Sequence, residues 1–177
     1  NQVQGPLLFT HKDLSGPSIL HVSRYANDDD KLYINYLPDY NVESLRQLFM
    51  SAKNEEPKLY LWKFLHREFN LPTSFCKLFA KRFNLGESEF SAITKSDINE
   101  LCQHLCHDEF TLKPFTAKDF NKAMVSAGGV NLKEIDLKDM SLKKWPDIHV
   151  IGEALDVDGD TGGYNLQFAW SSARMAQ

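Results

Sequence analysis

The stretch Gly152-Glu153-Ala154-Leu155-Asp156-Val157-Asp158-Gly159-Asp160-Thr161-Gly162-Gly163-Tyr164-Asn165-Leu166-Gln167 decides how this chain is read. It follows the short apolar run Ile148-His149-Val150-Ile151 and leads into Phe168-Ala169-Trp170-Ser171-Ser172-Ala173. The expected order is strand, glycine-rich turn, helix. Gly162-Gly163 lets a backbone come close to a ligand. The helix that follows points the positive end of its dipole at the same place. Small residues at Ala169, Ser172 and Ala173 let that helix pack closely on a sheet. Glu153 falls where an open α/β sheet places ligand-binding carboxylates, and it can accept hydrogen bonds from sugar hydroxyls. An ordinary structural βα-turn is the alternative.

Asp156, Asp158 and Asp160 have the spacing that opens a calcium loop. Such a loop needs glycine at its sixth position and a bidentate glutamate at its twelfth. Those positions hold Thr161 and Gln167, so calcium is not expected. The chain has 9 glycines in 177 residues, and 6 of them lie beyond residue 127. Close backbone approach is therefore concentrated near the C-terminus. The middle is glycine-poor and aromatic. Its 41–108 stretch reads as four helices: one after Asn41 as N-cap, one carrying Leu61 to Phe69, one capped by Thr73 or Ser74, and one opened by Thr94. Its phenylalanines fall at helical spacing and are expected in the core. Upstream, Leu7–Thr10 and Leu32–Tyr36 read as strands, with a short helix begun by Ser15 as N-cap and Pro17 in the first turn. Downstream, Phe110–Phe115 and Lys122–Ala127 read as strands. Strands, then helices, then strands describe a helical module inserted in a β-unit, whose two parts pair across the insertion.

The net charge of −4 argues against a general polycation. Residues 46–82 nevertheless carry 8 Lys/Arg against 3 acids, so a basic helical face for nucleic acid stays open beside a plain solvated face. Cys76, Cys102 and Cys106 read as reduced thiols. Cys102, His104, Cys106 and His107 do not converge on one helix face, so no zinc site is expected. No run of 18 apolar residues occurs, and Asn1–Pro6 is no secretory leader, so a cytoplasmic protein is expected. Neither GxSxG, a Walker loop, HExxH nor GxGxxG is present.

The long run from Gly152 to Ser172 resembles the C-terminal signature of the BaiN-like, or aminoacetone-oxidase-like, bacterial NAD(P)/FAD-dependent oxidoreductases. Leu8-Phe9-Thr10-His11 with Leu14-Ser15-Gly16-Pro17, and Ala127-Gly128-Gly129-Val130 with Lys133-Glu134-Ile135, agree with that family in order and spacing. The resemblance implies an α+β fragment of a longer flavoprotein. Residues 1–126 would be an insert domain, with a partial small β-barrel from 1–40 and 109–126 and a helix-two-turn-helix-like module from 41–108. Residues 127–177 would be the C-terminal piece of a Rossmann-like FAD domain. It further implies that Gly152 and Glu153 lie along the ribityl–pyrophosphate part of FAD. Gly162, Gly163, Tyr164, Asn165 and Leu166 would approach the isoalloxazine ring, with Gly128 and Gly129 near it. The expected function is hydride transfer through FAD, linked to NAD(P)H, on an unassigned small-molecule substrate. The isolated chain, lacking a fingerprint segment, is expected to bind no FAD; the parent protein is expected to be a flavin-dependent oxidoreductase, and whether this part alone is an enzyme is left open. No catalytic residue is assigned, although His11 and His149 are available. The alternative is a helical nucleic-acid- or protein-binding module without activity.

Overall fold

The computed structural model describes residues 1–11, 13–113, 123 and 125–177. The chain divides into two units: Asp29–Leu112, and Asn1–Asp28 together with Lys113–Gln177.

The unit Asp29–Leu112 is closed by its own ends. Strand β3 (Lys31–Ile34) pairs antiparallel with β4 (Asp108–Thr111), with Lys31 opposite Thr111 and Ile34 opposite Asp108. Between them run α2 (Val42–Glu55), α3 (Leu61–Phe69), α4 (Thr73–Arg82) and α5 (Lys95–Cys106), with a 3₁₀ turn at Phe90–Ala92. Asn41 caps α2 as expected: its side chain accepts from the Ser44 amide, and Ser44 Oγ accepts from the Asn41 amide. Thr94 and Asp97 form the same reciprocal box on α5. Both satisfy amides that a first turn otherwise leaves unpaired. Helices α3 and α4 have no side-chain cap, and in α4 one was expected. Pro72 holds its N-cap position with no side-chain bond, and Thr73 is already helical. A proline fits there because the first turn needs no donor from it.

The aromatic stripe forms the core of this unit. Phe49, Phe64 and Phe90 are buried at its centre, with Leu45, Leu61, Leu65, Ile98, Leu101 and Leu105 around them. The rings meet edge to face: Phe49 lies 5.1 Å from Phe64, and Phe64 lies 5.0 Å from Phe90. Leu78 departs from the expected pattern and stays exposed.

In the other unit, β1 (Leu8–Phe9) pairs with β2 (Leu14–Ser15), and α1 spans Pro17–Ser23. Ser15 does not cap α1. It belongs to β2, and Gly16 takes the N-cap at φ +100°, with the amide of Leu20 donating to its carbonyl. A three-stranded antiparallel meander follows, of β5 (Ile135–Asp136), β6 (Ser141–Leu142) and β7 (Trp145–His149). The strand expected at Ile148–Ile151 therefore starts earlier and ends at His149. Helix α6 (Tyr164–Met175) closes the chain. Ile135, Met140 and Leu155 are the buried centre, packed by Val130, Leu142, Val150, Val157 and Phe168.

No barrel is present among the described residues. The strand near Leu32 pairs with β4 across the helical insertion, as the strand–helix–strand order implied, but the two form a separate two-stranded sheet, which cannot close into a barrel. Of the strand expected at Lys122–Ala127, residues 122 and 124 lie outside the described residues, and the other four are not in a strand. Among these residues, no helix is long and apolar enough to cross a membrane.

Candidate functional site

The glycine-rich segments gather in the unit that holds the C-terminus. Gly128 and Gly129 take φ values of +101° and +140°, in the region that side chains disfavour. The next residue, Val130, forms a parallel bridge with Leu155: the Val130 amide donates to the Ala154 carbonyl, and the Asp156 amide donates back to Val130. Gly129 lies so close to this second loop that a Cβ would stand 2.7 Å from the Ala154 carbonyl oxygen and 2.9 Å from the Asp156 nitrogen. These obstacles are backbone and cannot swing aside. Gly129→Ala is expected to cost this unit about 2 kcal/mol, from strained φ plus the lost bridge. Hydrogen exchange at the Val130 and Asp156 amides checks this; unchanged protection would contradict it.

The loop 152–156 is tied from both sides. Gly152 is buried, and its amide donates to Ser172 Oγ on α6 at 2.9 Å. It approaches α6 at Ala169, where a Cβ on Gly152 would sit 3.4 Å from the alanine methyl. The small residues Ala169 and Ser172 thus allow a close approach, but to the 3₁₀ turn at Gly152 and not to the expected sheet. Glu153 is exposed, and its Oε1 accepts from the Ser126 amide at 2.8 Å. One carboxylate therefore links the 126–130 and 152–156 loops. Gly152–Ala154 forms a 3₁₀ turn rather than the end of a regular strand.

Beyond it, Asn165 bonds Gly159 in both directions. Its Oδ1 accepts from the Gly159 amide and its Nδ2 donates to the Gly159 carbonyl, which folds the turn back onto the helix. Gly162 and Gly163 both have positive φ. Gly163 occupies the N-cap of α6 in the left-handed region, with no side-chain cap and open space where its Cβ would be. Tyr164 and Leu166, the next residues, are exposed. An uncapped helix start behind two glycines can receive a negatively charged or carbonyl-bearing group.

The aspartates of this turn have a partner that sequence reasoning missed. Arg24 donates from Nε to Asp158 Oδ2 and from Nη1 to Asp160 Oδ1, both at 2.5 Å, and from Nη2 to the Asp158 carbonyl at 2.6 Å. His21 Nε2 stands 3.1 Å from Asp160 Oδ1. The hydrogen bond to Asp158 raises the Arg24 pKa above its ordinary value. A planar guanidinium suits this forked grip. The acidic turn is thus held by one arginine, and no signal in the sequence pairs residues 134 positions apart.

The histidines and cysteines go elsewhere. His149 Nδ1 lies 2.8 Å from the Asp139 carbonyl. In the helical unit, Cys102 is buried, Cys106 donates weakly to the Tyr40 carbonyl, and His107 stacks on Tyr33 at 4.3 Å. His104 turns to Asp108, the most demanding polar group of that unit. Asp108 is fully buried. Its Oδ2 accepts from Arg82 Nη1 at 2.6 Å and from the Tyr36 hydroxyl at 2.9 Å, and its Oδ1 accepts from His104 Nδ1 at 2.9 Å. Burial pushes the carboxyl pKa up. The three hydrogen bonds and the guanidinium charge outweigh that and hold it below its ordinary value. Tyr36 is pushed far up, by burial first and by the neighbouring carboxylate second.

Residues 13–177 match the family described as the HI0933-like protein Rossmann domain. Over 167 residues the chain is 36% identical to a ribosomal RNA dihydrouridine synthase of Haemophilus influenzae, covering 94% of this chain and 40% of that protein. It is 32% identical to the ribosomal RNA dihydrouridine synthase of Escherichia coli, with the same coverage. A 3-dehydro-bile acid delta(4,6)-reductase of Clostridium scindens is 27% identical over 180 residues, or 43% of that protein. The chain spans about two-fifths of the length of these relatives. With a match over nearly its whole length, the chain belongs to the HI0933-like Rossmann-domain family.

Proposed function

We propose that this chain is the C-terminal part of a FAD-dependent oxidoreductase that reduces a ring carbon–carbon double bond conjugated with a carbonyl, in a uracil of ribosomal RNA. The observation that carries the reading is that one small unit holds two positive-φ glycine loops joined to each other, 126–130 and 152–156, and a helix with an uncapped start behind Gly162 and Gly163. The names of the relatives supply the chemistry. Dihydrouridine is uridine with its ring double bond reduced, and the delta(4,6)-reductase also saturates a ring double bond. RNA is favoured as the substrate because the two relatives above 30% identity share that name.

The chain's residues fit a flavin in kind. Gly128, Gly162 and Gly163 would leave room for a planar ring against backbone, while Gly129 lets the 152–156 loop pack close beside them. Gly152 and Glu153 would lie along the ribityl–pyrophosphate chain. Tyr164, Asn165 and Leu166 open the first turn of α6, whose dipole favours negative charge on the ring. Asn165 and Arg24 keep that turn in place. The bound flavin supplies the hydride carrier, reloaded by NAD(P)H. The net reaction adds one hydride and one proton across the double bond, and the nicotinamide is oxidised.

The test uses the full-length protein. It should purify with flavin absorbance, oxidise NAD(P)H, and add two hydrogens to one uridine of ribosomal RNA, read by nucleoside mass spectrometry. A flavin-free full-length protein, or unaltered uridine with full NAD(P)H oxidation on an unrelated enone, would overturn the proposal in its cofactor or its substrate respectively.

A further inference from the structure

The helical unit carries a cationic surface that the flavin chemistry does not use. Helices α3 and α4 hold Lys63, Arg67, Lys77, Lys81 and Arg82 against a single acid, Glu68. Two of these cations are spent within the unit: Arg67 pairs with Glu56 and Arg82 with the buried Asp108. Lys63, Lys77 and Lys81 are exposed and make no ion pair among the described residues. Lys81 stands four residues after Lys77, on the same face of α4.

The lysines are also placed around aromatic rings. Lys77 Nζ lies 4.6 Å from the centre of the Trp62 ring, and Lys63 Nζ lies 5.5 Å from it. Lys63 Nζ is also 5.3 Å from the Tyr60 ring. Two ammonium groups from two helices thus converge on one half-buried indole. A ring face holds an ammonium by about 0.5–1 kcal/mol at such exposed sites, so the charge stays available to an external anion. Interleaved lysine and aromatic side chains on a helix pair suit a nucleic-acid strand: cations for phosphate, ring edges for sugar and base.

We propose that the α3–α4 face, centred on Lys63, Trp62 and Lys77, binds the phosphate backbone of the ribosomal RNA that carries the substrate uridine. The choice of RNA rests on the proposed function; the charge pattern and the ring geometry stand without it. Backbone contacts of this kind position a substrate without reading its sequence.

The experiment measures binding of a fluorescein-labelled ribosomal RNA hairpin to the full-length protein, by anisotropy across 50–200 mM salt. The wild type should bind with an affinity that falls steeply as salt rises. Lys63→Glu with Lys77→Glu should weaken binding about tenfold or more and flatten the log–log salt slope by about two. Lys95→Glu with Lys138→Glu, the same charge change at other exposed positions, should alter neither. Turnover on RNA should show a raised KM and an unchanged kcat, and NAD(P)H oxidation with a small enone should not change. Equal weakening by both double variants, or equal competition by polyglutamate and RNA at matched charge, would overturn the surface as an RNA site. So would unchanged binding in the Lys63/Lys77 variant, while uridine reduction by that variant would leave the proposed function standing. A flavin-free, inactive full-length protein whose RNA binding still depends on Lys63 and Lys77 would overturn the proposed function and support the surface.

Discussion

Phe49→Ala should remove about 4 kcal/mol from the helical unit, within the range for emptying a buried phenylalanine site. The ring has no exposed surface and touches three other rings: Phe64 at 5.1 Å, Phe90 at 6.1 Å and Phe69 at 6.4 Å. Two of these contacts are edge to face, which adds to simple burial. Collapse cannot refill the space, because the neighbouring aromatic rings are rigid and come from different segments. A unit of this size has a total stability on the order of 5–10 kcal/mol. The variant should therefore melt roughly 20 °C lower. Amide exchange in α2 and α5 measures this unit separately, since the whole chain need not unfold in one step. Phe49→Leu should cost less than half as much. A midpoint lowered by under about 5 °C in the alanine variant would contradict this account of the core.

Asp108→Ala should cost about 3 kcal/mol, at the lower end for breaking a buried pair. The lower end applies because the partner left behind, Arg82, has a side chain 44% exposed and can be rehydrated. Tyr36 and His104 lose an acceptor as well. The pH dependence has a definite sign. The folded carboxyl has a lowered pKa, so its stabilising effect is complete above the unfolded value of about 4 and fades as pH falls through the folded one. Asp108→Asn lacks that titration. Its stability deficit against the wild type should be constant from neutral pH down to about 5 and should shrink at lower pH. A deficit that grows on acidification would refute the assignment of Asp108 as an ionised acceptor.

What the sequence made legible is what is local. Asn41 with Ser44, and Thr94 with Asp97, are caps written within four residues, and both form. The phenylalanine spacing places the core because a helix face is also a local property. Ser15 and Thr73 failed as caps for a local reason too: a positive-φ glycine and a proline beside them fit the helix-start positions. The β3–β4 ladder joins residues nearly eighty positions apart, and it is the pairing across the insertion that the strand–helix–strand order implied; its register was not legible. Side-chain pairings across long separations were not legible either. Asp108 was not singled out, because its three donors come from α4, α5 and the segment after β3.

The candidate site divides in the same way. Gly128, Gly129, Gly152, Gly162 and Gly163 were visible as a cluster in sequence, and all five take positive φ. The ties that shape the site, Arg24 to Asp158 and Asp160, Ser126 to Glu153, and Gly152 to Ser172, link distant positions and needed the fold.

The antiparallel seam between Lys31 and Thr111 also sets a timetable for biosynthesis. Arg24 leaves the ribosome before all 84 residues of Asp29–Leu112, and Asp158 follows only after a further 45. At 5–20 residues per second, the arginine waits on the order of ten seconds for its carboxylates. The helical unit has both of its closing strands in hand well before then. Of the two units, the helical one can therefore close first, and the ties that Arg24 makes to the acidic turn form only afterwards.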